Sequence, residues 1–144
     1  LKSGGKITDK NFMKFEIFEE QAKKFYKKCM QDNSDVKRIS NNTGFSCEDI
    51  EKIKRHIMIE EHLFADGSKH KFDANIDQAL AWQRLIEGSN IKDADILLLN
   101  HELRELNYMA ETNCPYETAH KYSNEKYDWQ TVIDSIIDND NLKL

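Results

Sequence analysis

The stretch "NIKDADILLLNHELRELNYMAE" (90–111) decides the fold. Ile96, Leu99, Leu103, Leu106 and Met109 recur at steps of three and four residues, so the spacing predicts an amphipathic helix with those side chains facing a core. Asp93 and Asp95 fall in its first turn, where carboxylates complement the helix dipole. The same helix carries polar groups in an apolar run. His101 and Glu105 are four apart and share a face, while Glu102 points about a quarter turn away.

Working outward, the neighbouring stretches are also helical. "IDQALAWQRLIEG" (76–88) opens behind Asp73 or Asn75 as cap and closes at Gly88; its buried side is expected to be Ile76, Ala79, Leu80, Leu85 and Ile86, with Trp82 at the edge. From Asp9 to about Asp32, Phe12, Phe15, Phe18, Ala22, Phe25, Tyr26 and Cys29 keep helical spacing. "TNCPYETAHKYSNEKY" starts a further helix with Pro115 in its first turn, and Asp128 caps a last one, with a tail that frays. "EEHLFADGSKHKFDAN" (60–75) carries Asp-Gly and little periodicity, which predicts a loop or short hairpin. The expectation is one mostly α domain over 9–144 with about six helices, preceded by a linker over 1–8.

Composition agrees with that class. A single proline and five glycines suit helices, and seven Phe, five Tyr and two Trp can build a core in 144 residues. No stretch is long and apolar enough to predict a membrane span. Cys29, Cys47 and Cys114 form no C-x-x-C pair and read as free thiols. A net charge of −5 argues against a strongly basic nucleic-acid face, although "KKFYKK" (23–28) and "KIKRH" (52–56) are locally basic. The chain starts with Leu1, and "LKSGGK" is linker-like, which suggests a piece of a longer protein.

Three chemistries compete. The segment 36–58 has helix-turn-helix spacing, with Gly44 at the turn and Ser46 as second-helix cap. Its second helix, however, opens "SCEDIE", acids where base and phosphate contacts would lie, so a helical hairpin packed on the core is the better reading. The second chemistry is metal-free RNA cleavage. His101 and His120 would be proton carriers, with His56 and His62 as alternates, Glu102 and Glu105 orienting them and Arg84 binding phosphate. The plain alternatives are structural histidines, each satisfied by a partner, and an Arg84 paired with Glu102, Glu105 or Asp73. The third is a zinc hydrolase: His101, Glu105 and His120 as ligands and Glu102 as base. It departs from the H-E-x-x-H pattern, because Glu105 stands where the second histidine belongs. His70 and Lys71 are expected to be solvated.

Taken together, "NTGFSCEDIEKIKRHIM", "EEHLFADG", "KFDANIDQALAWQRLIEG", "DADILLLNHELRE" and "YETAHKYSNEKYDW" resemble a C-terminal toxin module of bacterial polymorphic toxins. These are effectors of the contact-dependent growth-inhibition type, and the order of motifs also resembles toxin-like tails of phage head-morphogenesis proteins. The resemblance covers about 40–130 and leaves 9–40 outside. It implies a payload secreted within a larger protein, acting in the cytoplasm of a target bacterium and neutralised by a cognate immunity protein. It implies polar site positions at His56, His62, Asp73, Arg84, His101, Glu102, Glu105 and His120. Such payloads are commonly nucleases, so the sequence-level expectation is an RNA-cleaving toxin that needs no cofactor and does not insert stably in a membrane, with the zinc hydrolase as alternative.

Overall fold

The computed structural model describes residues 9–140, with side chains from 16 to 136. The expected linker over 1–8, the end of the tail beyond 140 and the side chains of Phe12 and Phe15 lie outside the described residues. The chain forms helices α1 (Asp9–Gln31), α2 (Asp35–Thr43) and α3 (Cys47–Lys54), then a two-stranded hairpin of β1 (His62–Leu63) and β2 (Lys69–His70). Helices α4 (Ile76–Glu87), α5 (Asp93–Thr112), α6 (Tyr116–Asn124) and α7 (Trp129–Asp140) follow. The described helices number seven and not six, because the 36–58 hairpin contributes two separately bounded helices.

Local signals set most boundaries. Gly44 ends α2 with φ +86°, donating its N–H to the Ser40 carbonyl, and Ser46 Oγ caps α3 by accepting from the Asp49 N–H at 3.0 Å. Asn75 caps α4 by accepting from the Gln78 N–H at 3.0 Å. Gly88 ends α4 with φ +80°, and a Cβ there would come within 2.8 Å of the Asn42 side chain, so both conformation and space require glycine. Asn42 Nδ2 in turn donates to the carbonyls of Leu85 and Ile86 at 2.9 and 3.1 Å, tying α2 to the end of α4.

Helix α5 runs between two apolar clusters. On one side Tyr26, Ile39, Ile50, Ile53, Trp82 and Leu99 pack together; on the other, Ala81, Ala94 and Leu98 pack with Trp129 and Ile133 of α7. The most enclosed residues of α5 are therefore Leu98 and Leu99, whereas Ile96, Leu103, Leu106 and Met109 are half-buried. Of the expected stripe Leu99 is fully enclosed and Ile96, Leu103 and Leu106 pack against the same cluster, while Leu98, outside the stripe, is enclosed because this helix is covered on two sides. Trp82 likewise is not at an edge: its ring is buried, and Nε1 donates to Asp35 Oδ2 at 3.1 Å. Lys54, read as part of a basic run, is buried too and bonds the same Asp35 at 2.8 Å. The 36–58 pair is thus a core hairpin, with Ile39, Ile50 and Ile53 inward and Glu48 and Glu51 exposed.

Candidate metal centre

The polar groups of α5 fill the space between its apolar clusters. Helical spacing places His101, Glu102 and Glu105 on its inner side, all buried. A crossing helix, α6, brings His120 over them. The fourth contributor comes from Arg55–Ile59, where α3 widens into a π-helical turn closed by the Glu60 N–H on the Arg55 carbonyl at 2.8 Å. That wider turn sets His56 inward, a common use of π-type turns at functional sites.

Glu105 is the hub. Its Oε1 accepts from His56 Nε2 at 2.7 Å. Its Oε2 lies 3.2 Å from His101 Nε2 and 3.0 Å from His120 Nδ1, and those two nitrogens are 3.2 Å apart. Burial alone would raise the Glu105 pKa, but the close ring nitrogens of His101, His120 and His56 overcome that and hold the carboxyl well below the usual range.

The proton inventory of this triangle is short. His101 Nδ1 lies 2.8 Å from the Tyr127 carbonyl, which can only accept, so Nδ1 carries the proton. In a neutral ring Nε2 is then a bare lone pair, aimed at a carboxylate oxygen and a second imidazole nitrogen. Tyr116 Oη is 3.2 Å from His120 Nδ1; with its proton on Nδ1 the His120 ring donates to Glu105 Oε2 at 3.0 Å, and with its proton on Nε2 it presents Nδ1 as a second lone pair. In the second tautomer three lone pairs converge on one point, where a metal ion could sit. Their spacing suits the metal. A tetrahedral ion with bonds of about 2.0–2.1 Å sets its ligand atoms about 3.3 Å apart, close to what these edges already measure. Two histidines and one carboxylate with a fourth position free is a zinc-type donor set. The backbone carbonyl on His101 Nδ1 and the imidazole on Glu105 Oε1 fix both ligands from behind. A second group, His56 with Glu102 and Glu105, also brings ligand atoms within 4.8 Å of one another. Its 2.7 Å contact, however, is already occupied by a proton, and His56 stands 3.9 Å from Glu102.

Glu102 flanks the triangle. Burial chiefly, then the charge of and hydrogen bond with Glu105, push its carboxyl well above the ordinary range. Gln78 Nε2 approaches its Oε1 at 3.4 Å, and its Oε2 has no partner among the described residues. A cavity of about 260 Å³ opens beside His101, Glu102 and His120. Aromatic Phe72, Tyr116 and Trp129 and the amides of Asn75, Gln78 and Gln130 form most of the wall, with Asp73 exposed at the rim.

The other expected residues take different places. His62 donates Nε2–H to the His56 carbonyl at 2.7 Å and stacks on Phe72 at 4.3 Å, so it supports His56 without reaching Glu105. Burial lowers its pKa, partly offset by that hydrogen bond. Arg84 does not join the histidines: it grips the fully buried Asp95 through two bonds of 2.8 and 2.7 Å, beside another cavity. Neither Glu102, Glu105 nor Asp73 is its partner, because α4 and α5 run past each other with Asp95 opposite Arg84. His70 and Lys71 are exposed, as expected. Cys29, Cys47 and Cys114 are free thiols. No described helix is long and apolar enough to cross a membrane.

Groups that the sequence reading did not name include Tyr116 and Trp129 of the cavity wall and the Tyr127 carbonyl on His101. Tyr116 sits four positions before His120 on one helix, a spacing that could have revealed it. Trp129 and the Tyr127 carbonyl carry no comparable signal, since their approach depends on how α7 follows α6. Comparisons of the chain with protein-family models, curated proteins and solved structures return no match.

Proposed function

We propose that this domain is a zinc-dependent hydrolase, with His101, Glu105 and His120 holding the ion and Glu102 serving as proton carrier. The observation that carries the reading is the triangle of ligand atoms with edges of 3.0–3.2 Å, beside a cavity lined by His101, Glu102 and His120. Zinc in such a setting lowers the pKa of water to about 7 and polarises a scissile carbonyl or phosphoryl group. Glu102, buried beside the triangle, would take the proton of the attacking water once the charge of the ion favours its carboxylate, and return it to the leaving group. His56 holds Glu105 by one oxygen so that the other is presented to the ion. The resemblance over 40–130 supports placing this chemistry in a secreted interbacterial toxin, active in the target's cytoplasm and blocked by an immunity protein.

Metal-free RNA cleavage fits the geometry less well. Its two proton carriers both abut one carboxylate oxygen, and its phosphate clamp, Arg84, is committed to Asp95. The test separates the readings. Metal-stripped protein should take up one zinc per chain, His120→Ala should take up none, and Glu102→Gln should bind zinc yet lose 100-fold or more in activity, about the least a proton carrier contributes. Expression in a bacterial cytoplasm should arrest growth, and Glu102→Gln should relieve it. Fragmentation of RNA by the purified domain in excess EDTA, abolished by His101→Ala, would return the metal-free reading to first place.

A further inference from the structure

Of the described residues lining the cavity beside the triangle, only Tyr116 carries a hydroxyl. It opens α6 directly after Pro115, one turn before His120, so its ring and that imidazole share a helix face with 5.1 Å between centroids. Phe72 and Phe64 pack against the ring at 4.8 and 5.5 Å and hold it in place. Beside it, the Ala65 N–H donates to Glu117 Oε1 at 2.7 Å, which ties the hairpin loop carrying Phe64 to the start of α6.

The partner of this hydroxyl changes when an ion is bound. Without one, Oη is 3.2 Å from His120 Nδ1, and in the tautomer that leaves Nδ1 bare it donates there. An ion on Nδ1 takes up that lone pair. A phenol keeps its proton at neutral pH, so Oη must then find another acceptor. The fourth position of the ion supplies one. In a tetrahedral site an oxygen at that position stands about 3.3 Å from Nδ1. Oη is 3.2 Å from the same nitrogen. Two oxygens so placed can approach to about 2.7 Å, the length of a good O–H···O bond.

Resting on the zinc-hydrolase reading above, we infer that Tyr116 is a further catalytic residue, whose hydroxyl donates to the substrate oxygen on which negative charge gathers as water adds. The water oxygen bonds to the scissile carbon or phosphorus while its proton passes to Glu102. The electron pair displaced onto the carbonyl or phosphoryl oxygen is met by the Oη–H. That pair returns as the bond to the leaving group breaks, and Glu102 gives the proton to the leaving group. Tyr116 keeps its own proton throughout. A donor fixed before the reaction needs no reorganisation while charge builds, which is the source of its effect on rate.

Tyr116→Phe keeps the ring that Phe64 and Phe72 pack against and removes only the hydroxyl. Calorimetry compares it with the wild type, first with zinc and then, once loaded, with acetohydroxamate. That probe sets a carbonyl oxygen and an anionic oxygen on a zinc ion, as a scissile group and water would. Zinc should bind the variant at least as tightly as the wild type, because Oη competes with the ion for the Nδ1 lone pair. Acetohydroxamate should bind the loaded variant about tenfold more weakly, the loss of one hydrogen bond to a charged group. Equal acetohydroxamate affinity in the two proteins overturns the role of Tyr116. So does a wild type that takes up zinc but not acetohydroxamate, because no reacting oxygen then reaches the fourth position. Zinc affinity about tenfold weaker in the variant, the effect of losing an outer support of a ligand, also overturns it and makes Tyr116 a support for His120. All three results leave the zinc site standing. A wild type that binds no zinc is a separate outcome, which removes the hydrolase reading itself.

Discussion

Adding zinc to the metal-stripped domain should raise its melting temperature by an amount set by mass action. The three ligand atoms are already 3.0–3.2 Å apart, so an ion needs the triangle to open by only about 0.2 Å toward the tetrahedral spacing. Binding should therefore add to the native state without a large reorganisation cost. At free zinc 100-fold above Kd, the native state gains about 2.7 kcal/mol. For 144 residues, an unfolding entropy of about 2.1 cal/mol/K per residue gives roughly 0.3 kcal/mol/K, so the midpoint should rise by about 9 °C. Differential scanning calorimetry over a zinc titration reads this directly, and each tenfold of zinc above Kd should add about 1.4 kcal/mol. His120 is the ligand to remove, because its side chain is 35% exposed whereas those of His101 and Glu105 are nearly enclosed. His120→Ala should melt within about 3 °C of the metal-free wild type, the loss of about one net hydrogen bond, and its midpoint should not respond to zinc. An equal zinc response in His120→Ala, or none in the wild type at 0.1 mM, about the weakest affinity of use to a resident metal, would refute the reasoning.

Other outcomes follow from the same contacts. Arg84→Ala leaves the buried Asp95 carboxylate without its partner and should cost about 3 kcal/mol in urea unfolding while leaving zinc affinity unchanged; a loss of substrate binding with normal stability would instead make Arg84 a ligand-binding residue. His56→Phe removes the donor behind Glu105 and should weaken zinc 10- to 100-fold by competition titration. His62 has a lowered pKa in the fold, so the unfolded chain binds more protons once pH falls below about 6.5. Stability should therefore fall on acidification through that window and be unaffected by His62 well above it. The slope of unfolding free energy between pH 7.5 and 5.5, measured in EDTA, should be smaller in His62→Gln than in the wild type.

The helices were legible because their apolar residues repeat with the helical period and their ends carry Ser46, Asn75 and Gly88, each of which caps or closes a helix in the structure. The site was legible in part. His101 and Glu105 share a face by spacing alone, and His120 follows one helix later. Glu102 was among the expected site residues although spacing left it a quarter turn away; it is buried beside them because the helix is covered on two sides. The approach of His56 depends on a π-helical turn, one residue wider than the pattern that periodicity detects. Lys54 looked like part of a basic surface run, yet its ammonium reaches back nineteen positions to Asp35 inside the core. Arg84 misled for a related reason: its partner Asp95 doubles as a group at the start of α5, accepting from the Lys92 N–H at 3.0 Å, and was read only in that role. In each case the missing information was which elements cross, and this is set by packing of the whole chain.

Anomalous diffraction from zinc-soaked crystals, collected on both sides of the zinc absorption edge, tests the central claim most directly. The account predicts one peak per chain, capping the triangle of His101 Nε2, Glu105 Oε2 and His120 Nδ1 at about 2.0–2.1 Å from each. A peak elsewhere on the surface, or none at all with those three side chains ordered as they are now, would contradict it.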